Sequence, residues 1–223
     1  MRGMTVLDVG SATGFFAFEF EKRGARVISV ELPSIADWDI VNTERERTFA
    51  EMRLHPEERL EEVHHRHLEG PFQFCHQALH SKVERRHCRV YDLCPEKLGV
   101  EAFDLIFVGD VLGHLFSPLK ALDVLASLCR GTMIISLDVA ELPENPLQPK
   151  TPPTMRYLGG NTEDSGRSWW IPDRACLLQM LSKVGFGAVK VAGEYTCTVR
   201  RCWLPSHRAI YHATMAGSPV YAR

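Results

Sequence analysis

Several familiar features are missing from this chain, and each absence removes a class of function. No apolar run approaches the ~20 residues that a membrane-spanning helix needs. The seven cysteines, Cys75, Cys88, Cys94, Cys129, Cys176, Cys197 and Cys202, are scattered and never spaced C-x-x-C. That pattern signals neither a disulfide framework nor a zinc knuckle, and it fits reduced thiols in a cytoplasmic protein with no metal. A net charge of -2 gives no global attraction to nucleic acid or to anionic lipid. There is no internal repeat. The chain enters its first apolar strand almost at once, so no signal peptide is expected. What remains is 223 residues with 45% hydrophobic and 24% charged content, ordinary for one α/β domain spanning 1–223 with a real core.

The informative stretch is V-L-D-V-G-S-A-T-G-F-F, residues 6–16. It reads as a buried strand (5–9), a glycine-bounded turn, and the start of a helix. Gly10 and Gly14 allow backbone to pass close to a ligand where a side chain would block it. Residues 27–30, V-I-S-V, read as a second strand, and Glu31 at its end can accept hydrogen bonds from both ribose hydroxyls of a nucleoside. The dinucleotide fingerprint G-x-G-x-x-G is absent, because Ala12 stands where the middle glycine would fall. A pyrophosphate needs that bare backbone. Asp8 before the turn also suits a cationic ligand better than a phosphate. S-adenosylmethionine has no phosphate and carries a sulfonium and an ammonium, so it is the expected cofactor.

The rest of the chain alternates strand and helix. A first helix over 14–23 puts Phe16 and Phe20 on one face toward the sheet, with Phe15 nearest the ligand. Residues 33–69 form a charged insertion with helices expected at 43–53 and 56–66. It is either a lid or recognition element over the strand ends, or a solvated excursion. A second core helix covers 72–80 and a third strand 83–91, followed by Asp92-Leu93. A fourth strand, 103–108, leads into G-D-V-L-G-H-L, and Ser117-Pro118 opens the next helix with a capping hydroxyl and proline at N1. The fifth strand is 131–138, then a long irregular segment runs to Trp170. A last helix (172–184) and two closing strands (187–194 and 209–216) follow. Such alternation predicts a mostly parallel sheet with right-handed crossovers.

The residues D-V-G-S-A-T-G followed by V-E resemble the first motif and the strand-two acid of class I S-adenosylmethionine-dependent methyltransferases. The runs F-C-H-Q-A-L-H-S-K-V-E-R-R, V-Y-D-L-C-P-E, F-D-L-I-F-V-G-D-V-L-G-H-L-F-S-P-L-K-A-L and W-W-I-P are similar to one branch of that family. This branch includes the bacterial enzymes that complete the 5-oxyacetic acid modification of wobble uridine in tRNA. The resemblance implies a Rossmann-like, seven-stranded sheet with its last strand antiparallel and helices on both faces. It implies cofactor contacts at Asp8, Gly10, Ser11, Gly14, Glu31, Asp92 and Gly109-Asp110, to which Phe15 and Leu93 are added by position.

Methyl transfer is an in-line displacement in which the protein mainly aligns the reactants and excludes water. His114, beyond strand four, is the candidate base, with Asp110 fixing cofactor or acceptor. Arg156, Asn161, Trp169 and Trp170 are candidates for the acceptor wall. The expected acceptor is a small molecule. An RNA acceptor would use a basic face of Arg85, Arg86, Arg89, Arg200, Arg201 and Arg208. A different class altogether, a non-catalytic nucleoside- or partner-binding module, would use the charged insertion as its interface.

Overall fold

The computed structural model describes residues 1–51, 58–138, 152–159, 168–198 and 205–217. The sheet is built from β1 (Thr5–Val9), β2 (Arg26–Glu31), β3 (Glu84–His87), β4 (Phe103–Gly109), β5 (Cys129–Asp138), β8 (Phe186–Thr198) and β9 (Pro205–Met215). Between β5 and β8 lie two short strands, β6 (Met155–Tyr157) and β7 (Trp170–Pro172), which pair only with each other. The seven-stranded order is β3-β2-β1-β4-β5-β9-β8, with β9 antiparallel to both of its neighbours. This is the class I, Rossmann-like methyltransferase fold expected from the sequence.

Alternation along the buried strands sends side chains to two cores. Leu7, Ile28, Ile106 and Met133 face one layer, closed by Leu98 of α5 (Pro95–Leu98), Leu122 and Leu125 of α6 (Pro118–Ser127), and Leu177 and Leu181 of α7 (Arg174–Lys183). Val6, Val27 and Leu105 face the other, closed by Ala17 and Phe18 of α1 (Phe15–Lys22) and Phe72 of α4 (Gly70–Ala78). As expected, α1 turns Phe16 and Phe20 toward the sheet, where both rings lie against Phe107 of β4, at 4.5 and 5.7 Å between centroids. Ala17 and Phe18 are its buried residues, while Phe16 is half exposed with one face against Phe107.

Residues 33–69 hold a 3-10 turn (Ile35–Asp37), a second (Asn42–Glu44), α2 (Arg45–Glu51) and α3 (Leu60–His64). From α3 the chain passes through a π turn (His65–Glu69) directly into α4, so the insertion and the core helix are one helical run. Pro56, the expected start of the second helix, lies outside the described residues. β3 is shorter than expected because β2, its only partner among the described residues, ends at Glu31 opposite His87. Val90–Asp92 then turns as a 3-10 segment. At α6 no side chain caps the N-terminus, although Pro118 is in place, while α7 is capped by Asp173, which accepts the Cys176 N–H at 2.7 Å.

No helix among the described residues is long and apolar enough to cross a membrane, and no group of three or more His, Cys, Asp or Glu side chains there could hold a metal ion. His64 and His76 bond the carbonyls of Leu32 and Val83.

Gly131 in β5 lies against the Asp104 backbone carbonyl, where a β-carbon has no room. Gly131→Ala is expected to lower unfolding free energy by about 2 kcal/mol or more, read from urea denaturation, because backbone rather than a flexible side chain must yield.

Candidate active site

The strand order reverses between β1 and β4, and the crevice of an open α/β sheet forms at such a point, beyond the carboxyl ends of the strands. Here it has a volume of about 270 Å³. Val9, Gly10 and Ala12 line it from β1, Val30 and Glu31 from β2, Arg89, Val90 and Tyr91 from the chain after β3, and Gly109, Asp110, Val111 and His114 from the chain after β4. Asp37, Trp38, Asp39 and Ile40 of the insertion also line it. That part of the insertion packs over the strand ends instead of running into solvent.

The floor is the turn after β1. Gly10 and Ser11 donate their N–H groups to the Val30 carbonyl at 2.9 and 3.1 Å. Gly10 has φ +64, and a β-carbon there would stand 2.5 Å from Val111, so the bare backbone is required. Glu31 is buried, with one carboxylate oxygen accepting from Ala12 N–H at 2.8 Å and the other from Leu32 N–H at 2.9 Å. Each oxygen keeps capacity for a further donor.

The roof is fixed by Asp39. Its carboxylate accepts from Arg89 at 2.7 Å, from Phe116 N–H at 2.7 Å, and from the Tyr91 hydroxyl. Burial and this bond to Asp39 push the Tyr91 phenol well above its ordinary range. The Asp39 carbonyl takes the Trp169 indole N–H at 2.7 Å. At the far end Arg208 of β9 bonds Asp110 at 2.8 Å and lies 3.4 Å from Asp138. Although burial works against its charge, these carboxylates hold Arg208 firmly protonated. Asp110 itself has φ +59, a left-handed conformation uncommon outside glycine. His114 is among the lining residues, and its Nδ1 lies 3.2 Å from the Ser168 hydroxyl.

Of the residues singled out from the sequence, Gly10, Glu31, Gly109, Asp110 and His114 come together around this crevice. The others have different surroundings. Asp8 is buried beneath the turn rather than in the lining, with one oxygen lacking a partner. Ser11 bonds Ser29 and Arg85. Gly14 leaves room for Phe72, which would meet a β-carbon at 2.6 Å. Phe15 is 66% exposed, with its ring edge-on to Phe16. Asp92 is exposed and Leu93 belongs to the core, so Arg89, Val90 and Tyr91 stand at that end of the crevice instead. Trp169 is buried, and both indole N–H groups bond backbone carbonyls, Trp170 to Phe116 at 3.1 Å, which docks the β6–β7 hairpin. Arg156 is exposed on β6, and Asn161 lies outside the described residues. Sequence reasoning missed Asp39 and Tyr91 and gave Arg85 and Arg89 to solvent. Their partners are too distant in the chain to leave a local signal.

A family model described as a methyltransferase domain matches residues 1–191. The chain belongs to that methyltransferase family. No curated protein is similar to it in sequence. Among solved structures, the methyltransferase is similar to the N-terminal domain of EvdMO1 with SAH bound, at TM-score 0.61 and 15% identity over 95% of this chain and 74% of that one. It is also similar to magnesium protoporphyrin IX methyltransferase from Synechocystis PCC 6803 with bound SAH (TM-score 0.56, 17% identity, 96% and 75% covered). A third is Burkholderia thailandensis 1,6-didemethyltoxoflavin-N1-methyltransferase with bound 1,6-didemethyltoxoflavin and S-adenosylhomocysteine (TM-score 0.56, 15% identity, 96% and 72% covered). At these identities the shared property is the fold.

The resemblance to the tRNA wobble-uridine branch is corrected by these neighbours, two of which are named for small-molecule substrates and none for tRNA. The methyltransferase's own arginines agree. Arg85 faces Glu69, Arg86 faces Glu84, Arg89 faces Asp39 and Arg208 faces Asp110, so these four do not form an open basic face, and Arg200 and Arg201 lie outside the described residues.

Burial raises the Asp8 carboxyl to about 7, against the bond from Ala17 N–H and the charge of Arg85 that favour ionisation. The folded state therefore holds this proton more tightly than the unfolded chain, and stability falls as pH climbs from about 4 to about 7. Asp8→Asn removes that dependence. It is expected to be more stable than the wild type at pH 8, by up to ~4 kcal/mol, and close to it at pH 4, read from denaturant melts at the two pH values.

Proposed function

We propose that this methyltransferase uses S-adenosylmethionine as methyl donor and a small molecule as acceptor. The observation that carries this reading is the charge of the crevice. Four carboxylates, Glu31, Asp37, Asp39 and Asp110, line it against one guanidinium, Arg89. Even with Arg208 behind Asp110, the balance stays negative. Such a site repels a pyrophosphate and favours a ligand carrying a sulfonium and an ammonium.

Glu31 is placed to accept from the ribose hydroxyls with the capacity that its two backbone donors leave. Val30, Leu32 and Val90 offer an apolar wall for the adenine. The donor, when bound, supplies an electrophilic methyl carbon on sulfur, so no metal or redox group is called for. The chain's task is alignment and exclusion of water. His114 removes a proton where the acceptor is a hydroxyl or an ammonium, with Ser168 orienting its ring. Asp110, held by Arg208, orients the acceptor or the donor beside it. Segment 37–40 acts as the lid over this single domain. The acceptor is assigned as a small molecule because the fold neighbours are named for such substrates and the basic face is neutralised. Free cysteines at positions 75, 88, 94, 129 and 176 fit a reducing, cytoplasmic setting.

Calorimetric titration with S-adenosylmethionine is expected to show saturable binding, and no heat at millimolar ligand would remove the donor assignment. Glu31→Ala is expected to weaken that binding at least about tenfold, a loss of roughly 1.4 kcal/mol; an unchanged dissociation constant would end its ribose role. Once an acceptor screen supplies a substrate, His114→Ala is expected to lower kcat about a hundredfold or more while the donor Kd stays put. Wild-type turnover in that variant would make the histidine structural.

A further inference from the structure

The turn that floors the crevice carries a strain. Ala12 has φ +48, in the left-handed region that favours glycine, at the position where G-x-G turns place their middle glycine. Two contacts hold it there. Its N–H is bound by Glu31, and its carbonyl accepts from Arg85 Nη2 at 2.9 Å. The same guanidinium donates through Nη1 to the hydroxyls of Ser11 at 2.7 Å and Ser29 at 3.0 Å. Its remaining edge meets Glu69 at 2.6 Å, and its plane lies 4.2 Å from the centre of the Phe72 ring. That ring is the one that fills the space beside Gly14. The Arg85 side chain is 9% exposed. One buried cation thus spans the glycine turn, β2 and the end of the insertion.

We propose that Arg85 is a positioning residue for the donor site: it clamps the Ala12 peptide in its left-handed geometry and thereby aims Glu31 at the ligand. The inference rests on the assignment of S-adenosylmethionine as donor. Arg85 does not itself line the crevice; it reaches the lining only through the Ala12 carbonyl. It acts by fixing the direction of the Ala12 carbonyl, hence of the next peptide, while the preceding N–H anchors one oxygen of Glu31. Glu69 balances its charge, so the clamp does not oppose a cationic ligand nearby. His87 joins the same carboxylate at 3.2 Å. Against the burial that would raise it, the bond and charge of Arg85 hold the Glu69 carboxyl below its usual range. The clamp compensates for the absent glycine: a glycine at position 12 would adopt the turn without help, whereas alanine must be held.

Lysine cannot replace this fork, since an ammonium is a point donor with no planar face for Phe72 and cannot reach all four partners at once. The test is calorimetric titration of S-adenosylmethionine into the wild type, Arg85→Lys, Ala12→Gly and the double variant, with thermal unfolding of each. Arg85→Lys is expected to weaken binding at least about tenfold relative to the wild type, and by a smaller factor when it is made in an Ala12→Gly background and compared with Ala12→Gly alone. The double variant is expected to bind more tightly than Arg85→Lys alone, because glycine no longer needs the clamp. If Arg85→Lys does not fold, Arg85→Met, which keeps a long side chain against Phe72 but has no donor for the Ala12 carbonyl, carries the same expectations. A lysine variant that binds like the wild type, or a double variant no tighter than the single, would overturn the positioning role. A wild type that binds no S-adenosylmethionine would overturn the donor assignment itself, and the two failures are distinct.

Discussion

A carboxylate at the end of β2 ties down the turn at the end of β1, and the crevice depends on that tie. A turn between a buried strand and a helix leaves backbone N–H groups that must find partners. Here Gly10 and Ser11 give theirs to the Val30 carbonyl, and Ala12 gives its own to Glu31. The turn therefore lies against β2 instead of folding over the strand ends, and Gly10 can approach Val111 closely enough to exclude any side chain. The space left between these two strand ends and the chain after β4 is the crevice. Its walls are apolar because the strands that end there are buried on both faces, and its rim is acidic because the end of β2 and the insertion bring Glu31, Asp37 and Asp39 and the chain after β4 brings Asp110.

The parts of this arrangement that could be read from the sequence are those encoded over a few residues. β1, the glycine turn, β2 and Glu31 come as one run, and β4 carries the continuous apolar stretch 105–108. Their positions match the expectation because burial on both faces needs such runs. Features set by register were harder to read. β3 lies at the sheet edge and ends at His87, where β2 runs out, four residues before the expected end at 91. That shift puts Tyr91 and Arg89 where Asp92 and Leu93 were expected. In α1 Phe16 and Phe20 reach Phe107 of the sheet as expected, but Ala17 and Phe18 are buried more deeply, and Phe15 is left outside. The paired tryptophans looked like an acceptor wall, but an indole N–H buried in a fold must find an acceptor, and both find backbone carbonyls first.

The arginines show a second limit. Taken one by one they suggested a basic surface. In the fold Arg85 pairs with Glu69 across 16 positions, Arg89 with Asp39 across 50, and Arg208 with Asp110 across 98. Ion pairs of this kind leave no trace in local composition. They also change what the charges mean, because a cation with a carboxylate against it offers little to a phosphate backbone. The near-neutral chain and the neutralised arginines both argue against a polyanionic acceptor.

The acidic lining is not uniform, and the differences assign its ends. Asp39 has three donors on its carboxylate, two of them side chains and one backbone, so it serves as a joint between the insertion, the chain after β3 and the chain after β4. A carboxylate so fully engaged has little left for a ligand. Glu31 has one backbone donor on each oxygen, which fixes its direction but leaves both oxygens able to accept hydroxyl protons. Asp110 is gripped by Arg208 from one side only, in a backbone conformation that its own side chain disfavours, and such strain persists only where the surroundings enforce it. The enforcing residue sits on β9, the antiparallel strand, which returns beside β5 and so can set an arginine next to the end of β4. The sheet's one reversed strand thus sets the geometry at the His114 end of the crevice, while its parallel half sets the geometry at the Glu31 end. The two reactants of a group transfer would meet between them.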